Sequence, residues 1–119
     1  MFEAVLRDVV ESTEGAVASL VMDLDGIPLD SYSRPDAPFD IKAVGVEFGV
    51  VIKSIAQAAQ MLSAGNAQEV TIVADSLVTL IRLLSPRYFI ALTLRPGGNA
   101  GRGRYLLRTR APELLEELS

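Results

Sequence analysis

The chain has 119 residues, a formal net charge of −4 and neither cysteine nor histidine. This length predicts one domain, and because half of the residues are hydrophobic, the chain can form a core of aliphatic side chains. The absence of Cys excludes disulfides, thiolate metal sites and Cys nucleophiles, and the absence of His removes the commonest metal ligand and general base. The negative charge disfavours nucleic acid and anionic membranes as partners.

The first third of the chain predicts a helix followed by a β-hairpin. Phe2–Thr13 carries apolar residues at helical spacing, and Ala16–Leu24 is apolar on both faces, as expected for a central strand. Asp25-Gly26 predicts a tight turn that leads into a return strand over Ile27–Ser33. The first residues form neither a signal peptide nor a membrane span, so we expect a cytoplasmic protein without membrane insertion.

The long helix predicted over Asp40–Leu62 is the most informative segment, because it is apolar on more than one face. Asp40 is its predicted cap. Its apolar and small residues form three groups around the helix axis, which we call the core arc, the opposite arc and the shoulder. The core arc is the predicted core face. The opposite arc and the shoulder, which consists of glycine and alanine, are predicted to contact a second chain. A glycine inside a helix destabilises it by roughly 1 kcal/mol relative to Ala. We therefore interpret Gly45 and Gly49 as positions where another backbone approaches the helix closely. The alternative is a helix buried all round. The core arc is Ile41, Val44, Phe48, Val51, Ile52, Ile55, Ala59 and Leu62; the opposite arc is Ala43, Val46, Val50 and Met61; the shoulder is Gly45, Gly49 and Ala56.

The remaining sequence predicts three strands and a final helix. The strands are expected over Glu69–Asp75, Leu77–Leu84 and Arg87–Arg95. Asn99 is the predicted cap of the final helix, and Pro112 is expected to kink or restart it. The order α-ββ-α-βββ-α predicts an α/β (α+β) domain with a single five-stranded antiparallel sheet and helices on both faces.

Two segments carry a resemblance to a known family. Residues 84–89 have the sequence LSPRYF, and residues 98–108 have the sequence GNAGRGRYLLR. With the element order, the Asp25-Gly26 hairpin and the long helix rich in small residues, they resemble the Roadblock/LC7 family. Within it they are similar to the bacterial MglB/MglC-like branch that accompanies Ras-like GTPases in cell polarity and gliding motility, and more similar to the MglC-type paralogue.

The resemblance spans residues 1–119 as a single domain. It implies that the long helix covers one face of the sheet and the two terminal helices the other. It also implies homodimers or heterodimers built from the long helix and the third strand. Independently, Pro28 and Pro35 blunt the hairpin strand, whereas Val70–Ala74 has neither proline nor a central charge. The predicted dimer interface is Gly45, Val46, Gly49, Val50, Lys53, Val70 and Ile72.

The hairpin tip is the predicted partner-binding site. Leu24 and Ile27 flank Asp25-Gly26, where we expect their apolar side chains to project near solvent. Such a pair beside a charged turn can anchor a protein partner, although single exposed apolar residues are also ordinary. Leu24, Asp25 and Ile27 are therefore the predicted contacts, and the resemblance implies an MglB-type Roadblock protein as the partner.

Three further patterns have ordinary explanations. The aspartates lack the spacing of a calcium loop and suit turns and caps. The glycine-rich segment lacks the ending of a phosphate-binding loop, and the arginines suit a solvated helix face, although they allow an acidic partner or an arginine finger. We predict no catalytic, metal or cofactor residue. The aspartates are Asp23, Asp25, Asp30, Asp36 and Asp40; the glycine-rich segment is 97–104; the arginines are Arg95, Arg102, Arg104, Arg108 and Arg110.

The sequence as a whole predicts a non-catalytic, dimeric interaction or scaffold protein. By resemblance, it modulates a Ras-like GTPase through an MglB-type partner. One alternative is a direct GTPase-activating or exchange co-factor, but the acidic and basic residues form no constellation of an active site. Another is a small-molecule-sensing domain, which a deep apolar pocket would favour and a flat, paired surface would disfavour.

Overall fold

The computed structural model describes residues 1–118 as a five-stranded antiparallel sheet with three helices. The predicted fold class and element order are confirmed, and the element ends differ from the predicted ones by at most two residues. The strands lie in the order β2-β1-β5-β4-β3, which leaves β2 and β3 at the edges. The elements are α1 Glu3–Glu11, β1 Ala16–Asp23, β2 Pro28–Ser33, α2 Ile41–Met61, β3 Glu69–Val73, β4 Val78–Leu83, β5 Tyr88–Leu94 and α3 Ala100–Glu117.

The two faces of the sheet form two separate cores. The helices α1 and α3 cover one face, and α2 covers the other. Every residue of β1 is buried, as its apolar character on both faces predicts. The α1–α3 core includes Leu6, Val9, Val10, Ile90, Leu92, Leu107 and Leu114, and the α2 core includes Leu20, Met22, Ile41, Phe48, Ile52 and Phe89.

Both long helices begin at the caps that the sequence predicts. The side chain of Asp40 accepts a hydrogen bond from the backbone N–H of Lys42 at 3.0 Å. Asn99 accepts one from the N–H of Arg102 at 3.0 Å. Each cap satisfies a backbone donor that the first turn of a helix leaves free.

Of the two expectations for Pro112, the restart of the last helix is wrong, whereas a kink stays a prediction. The helix α3 continues without a break from Ala100 to Glu117. Pro112 is exposed, so the carbonyl that loses its donor can bind water instead. Leu107 and Leu114 are both buried and hold the turns on either side of the proline against the sheet.

The buried face of α2 is rotated towards its glycines relative to the predicted core arc. Gly45 and Gly49 are buried, whereas Val51 is 41% exposed and Leu62 is 78% exposed. A Cβ atom on Gly45 would lie 2.3 Å from Cδ2 of Leu20. The small residues therefore face the sheet, and Val51 moves to the flank.

The close approach at these glycines is made within the chain. A Cβ atom on Gly49 would lie 3.1 Å from the carbonyl oxygen of Leu24, and Gly45 packs on β1. This corrects the interpretation that a second chain accounts for the glycines, because within the protomer a side chain at Gly49 would crowd the backbone of the hairpin and one at Gly45 would displace Leu20 and Met22.

Candidate interaction surface

The hairpin tip is a rigid turn held by a buried carboxylate. Asp23 is 5% exposed, and its Oδ1 accepts hydrogen bonds from the backbone N–H of Asp25 at 2.9 Å and of Ile27 at 3.1 Å. The N–H of Gly26 donates to the carbonyl of Asp23 at 3.2 Å, and Gly26 has a φ of +92°, which favours glycine. The tip is therefore fixed before any partner binds.

The three predicted partner-binding residues do not all project into solvent. Ile27 is 59% exposed, and the side chain of Asp25 is 77% exposed. Leu24 is half-buried and packs against the α2 core instead. The expectation that both apolar residues project is therefore correct for Ile27 and wrong for Leu24, because the turn directs Leu24 towards α2.

The hairpin tip and the outer side of α2 form one continuous surface. The ammonium of Lys53 donates to Oδ1 of Asp25 at 2.9 Å. This hydrogen bond, with the charge of Lys53, lowers the pKa of Asp25 from its ordinary value. A Cβ atom on Gly26 would lie 3.6 Å from Cγ1 of Val46. The predicted dimer contact Lys53 and the predicted partner contact Asp25 thus bind each other.

We call this continuous surface the tip–helix surface and define it by Asp25, Ile27, Val46, Val50 and Lys53. Its apolar members are open to solvent, since Val46 is 43% exposed and Val50 is 59% exposed. Exposed apolar side chains that adjoin one another are typical of protein contacts. The chemistry that this surface offers is a rigid apolar contact beside one ion pair.

The edge strand β3 is the second candidate contact. Val70 and Ile72 are half-buried on the α2 side of the sheet. The outer edge of β3 has no neighbouring strand within residues 1–118, so its backbone groups can pair with another chain. The opposite edge differs, because Asp30 on β2 accepts a hydrogen bond from the N–H of Phe2 at 3.0 Å and so joins that edge to the start of α1.

A cleft of about 390 Å³ lies beside Leu24, at the end of the sheet. Side chains of Gln60, Asn66 and Gln68 contribute amide groups to it, and Leu24 and Pro86 contribute apolar ones. The amide of Gln60 already donates to Oδ1 of Asn66 at 3.2 Å. The lining is mainly apolar, with Ala56, Ala67, Leu83 and Leu84 beside these residues, and a few polar groups among apolar ones is a composition that small-molecule sites also have.

The glycine-rich segment is a packed connection rather than an anion site. The N–H of Gly98 donates to the carbonyl of Arg95 at 3.0 Å, and that of Asn99 donates to the carbonyl of Glu14 at 2.9 Å. A Cβ atom on Gly103 would lie 2.8 Å from Cδ1 of Leu80. A Cβ atom on Gly98 would lie 2.7 Å from the carbonyl oxygen of Glu14, so close packing accounts for both Gly98 and Gly103.

Most of the C-terminal arginines have partners within the chain. Arg95 pairs with Asp36 at 2.6 Å, and Nε of Arg102 donates to the carbonyl of Ser12 at 2.8 Å. The remaining pairs are Arg104 with Glu69, and Arg110 with Asp8 and Glu113. Among residues 1–118 there is no cluster of three or more acidic or metal-ligating side chains that could hold a metal ion. No helix in the described part of the chain is long and apolar enough to cross a membrane.

A solved structure decides the family of this chain. MglC from Myxococcus xanthus is 38% identical to it, and the match covers 98% of both chains with a TM-score of 0.70. The chain belongs to the Roadblock/LC7 family, in its MglB/MglC-like branch. Neither a family model nor a curated protein matches this Roadblock/LC7 chain.

Two less similar structures share the Roadblock/LC7 fold of this chain. The Roadblock/LC7 domain from Streptomyces avermitilis is 12% identical with a TM-score of 0.85, and the match covers 97% of this chain and 95% of that one. The gliding protein mglB from Thermus thermophilus is 19% identical with a TM-score of 0.80, and the match covers 95% of this chain and 84% of that one. At these identities the similarity concerns the fold.

In this Roadblock/LC7 chain the predicted site residues fall into four groups. The tip–helix surface brings five of them together, Leu24 lies beneath it and Val70 and Ile72 lie on the far edge strand. Gly45 and Gly49 are buried against β1 and the hairpin. The contact of these residues with a second copy of the chain stays a prediction. Asp23 positions the tip, whereas the sequence predicts it only as a turn residue; its place two residues before Asp25 is the sequence signal for the positioning role.

Proposed function

We propose that this chain is a non-catalytic, dimeric interaction or scaffold protein of the bacterial cytoplasm that modulates a Ras-like GTPase system in cell polarity and motility. It acts by binding an MglB-type Roadblock partner. The observation that carries this proposal is the full-length similarity to MglC. The branch of the family, rather than the fold alone, supports the GTPase context.

The hairpin-tip part of the tip–helix surface, Asp25 and Ile27, supports the partner contact. Ile27 offers an apolar side chain at the tip, and Asp25 offers a charge that can select and orient a partner. Asp23 fixes the turn through two backbone hydrogen bonds. Because the contact is rigid before binding, little conformational entropy is lost when the partner associates.

Dimerisation is supported by surfaces that the protomer leaves uncovered. Val50 is 59% exposed on α2, and the edge of β3 has no strand beside it within the described residues. The resemblance to the Roadblock/LC7 family implies dimers built from the long helix and the third strand, which would cover both features. We therefore place the homodimer contact on Val46, Val50, Lys53, Val70 and Ile72.

Direct activation of the GTPase has less support. An activating arginine must reach the nucleotide of its partner and stabilise transition-state charge. Arg95, Arg104 and Arg110 are paired with carboxylates in the chain, and Arg102 is bound to a backbone carbonyl. Deploying any of them would first require breaking an existing interaction.

The triple change Leu24→Ala, Asp25→Ala, Ile27→Ala tests the partner contact. We expect it to abolish binding to the MglB-type protein of the source organism in isothermal titration calorimetry. Because Leu24 is half-buried, the single change Ile27→Ala is the second variant, and Leu29→Ala, also exposed but on β2, is the matched control. Unchanged affinity in a correctly folded triple variant would place the contact elsewhere.

The effect on GTP turnover separates a scaffold from an activating protein. Adding the chain alone to a Ras-like GTPase is expected to leave the rate of GTP hydrolysis nearly unchanged, because four of its C-terminal arginines are already engaged within the chain. A true activating protein accelerates that rate by about 10³–10⁵. A single-turnover assay at stoichiometric protein measures the difference, and a large acceleration would favour direct activation.

A further inference from the structure

A cluster of arginines lies on the α3 side of the sheet, away from the tip–helix surface. Glu69 on β3 is contacted by Arg104 from α3 and, at 3.5 Å, by Arg82 from β4. Glu69 and Arg82 are cross-strand neighbours, so both side chains face α3. We define the arginine patch by Glu69, Arg82, Arg104, Tyr105 and Arg108.

The arginine patch carries more positive charge than its single carboxylate balances. Glu69 is shared by Arg82 and Arg104, and Arg108 has no carboxylate partner among the described residues. The guanidinium carbon of Arg108 lies 5.8 Å from the ring centroid of Tyr105. The three arginines and one glutamate give the patch two excess positive charges, although the chain as a whole has a net charge of −4.

The patch also has the shape and residue types of a protein contact. A cleft of about 220 Å³ lies between Glu69, Gly101, Arg104, Tyr105 and Arg108. Gly101 has no side chain to obstruct it, and Tyr105 is 52% exposed. Tyrosine and arginine are among the residue types most enriched at the energetic centres of protein interfaces.

We propose that the arginine patch binds an acidic peptide segment of a protein partner. Guanidinium groups bind carboxylates through paired, charge-assisted hydrogen bonds, and an incoming carboxylate can compete with Glu69 for Arg104. Nucleic acid and anionic membranes fit less well, because their extended anionic surfaces would also meet the negatively charged remainder of the chain, whereas a short acidic segment can contact the patch alone. This proposal goes beyond the partner contact at the hairpin tip and does not depend on it.

Titration of the ¹⁵N-labelled protein with hexaglutamate tests the proposal, with a neutral Gly-Ser hexapeptide as the blank. We expect amide shifts at Gly101, Arg104, Tyr105 and Arg108 that disappear at high salt. The double change Arg104→Glu, Arg108→Glu is expected to weaken binding by about tenfold or more, as charge reversal at a contact does. The change Arg7→Glu, Lys42→Glu alters the net charge equally at exposed positions elsewhere and is the matched control.

Several results would overturn the proposal. One is that millimolar hexaglutamate shifts no amide of the patch, and another is that the control variant weakens binding as much as the patch variant. Binding to phosphatidylserine vesicles without binding to the peptide would assign the patch to membranes. If the double variant Arg104→Glu, Arg108→Glu loses the homodimer in light scattering but binds the peptide as before, the patch belongs to the contact between copies. Arg104→Ala, Arg108→Ala serves where charge reversal impairs folding.

Discussion

The inner and outer sides of α2 both carry apolar residues in the sequence, but the fold buries only those of the inner side. Phe48 and Ile52 are buried in the α2 core, and Gly45 lets the helix approach β1. Val46 and Val50 on the outer side remain exposed. A helix that already has a core face needs no second apolar side for its own stability. This difference is the basis of our proposal that the outer side of α2 contacts another chain.

The largest expected effect is a difference between the inner and outer sides of α2 in their contribution to the free energy of unfolding. Ile52→Ala is expected to lower the free energy of unfolding by about 2–5 kcal/mol, because it leaves a cavity in the α2 core. Val50→Ala on the exposed side is expected to change it by no more than about 0.5 kcal/mol in dilute, monomeric protein. Urea denaturation measures both values. Equal losses would show that the two sides of α2 are not distinct.

The next largest effect tests whether the glycines of α2 are packed within the protomer rather than against a second chain. Gly49→Leu is expected to destabilise the monomer by about 1–3 kcal/mol, because the added side chain overpacks the space against the hairpin. Its Cβ would lie 3.1 Å from the carbonyl of Leu24. Ala58→Leu, at an exposed position of the same helix, is the control. If Gly49→Leu weakens only the dimer in urea denaturation and light scattering, the glycine acts between chains after all.

The α2 helix also shows how far the sequence predicts the structure. Its limits and the burial of Phe48 and Ile52 follow from the pattern of apolar residues, and its Asp40 cap follows from the preference of Asp for that position. The rotation of its buried face does not, because hydrophobic periodicity gives glycine no weight. Only the position of Leu20 and Leu24 in space reveals that Gly45 and Gly49 face inward.

The hairpin tip is predictable as a turn but not as a surface. Asp25-Gly26 indicates the turn, yet nothing local indicates that Leu24 packs inward while Ile27 projects. Lys53 lies 28 residues from Asp25 in sequence, so their ion pair depends on how α2 crosses the sheet. The sequence allows an acidic partner for Arg104 and Arg108, but it does not predict that Glu69 and Arg82 join them, since the residues of the arginine patch come from β3, β4 and α3.

A smaller effect on stability tests whether the outer side of α2 serves association. Val50→Asp is expected to leave the monomer within about 0.5 kcal/mol of the parent, but to weaken the dimer by placing a charge in an apolar contact. Light scattering over a dilution series measures the change. Ala4→Asp introduces the same charge at an exposed position of α1 and is the control. A parent protein that is monomeric at micromolar concentration would contradict the dimer.

The smallest expected effect concerns the ion pair that joins the hairpin tip to α2. Lys53 lowers the pKa of Asp25 in the folded protein, so folding favours the ionised carboxylate. The stabilisation is then fully present above the unfolded pKa of about 3.9 and is lost as pH falls through the lower, folded value. We therefore expect the difference in unfolding free energy between the parent and Lys53→Met to be present at neutral pH and to vanish in acid. Denaturation of both proteins across this range measures it, and high salt should reduce it, because both side chains are exposed. If the difference in unfolding free energy persists at low pH, Lys53 acts through the packing of its aliphatic stem on α2. The hairpin tip and α2 would then be neighbours without electrostatic coupling.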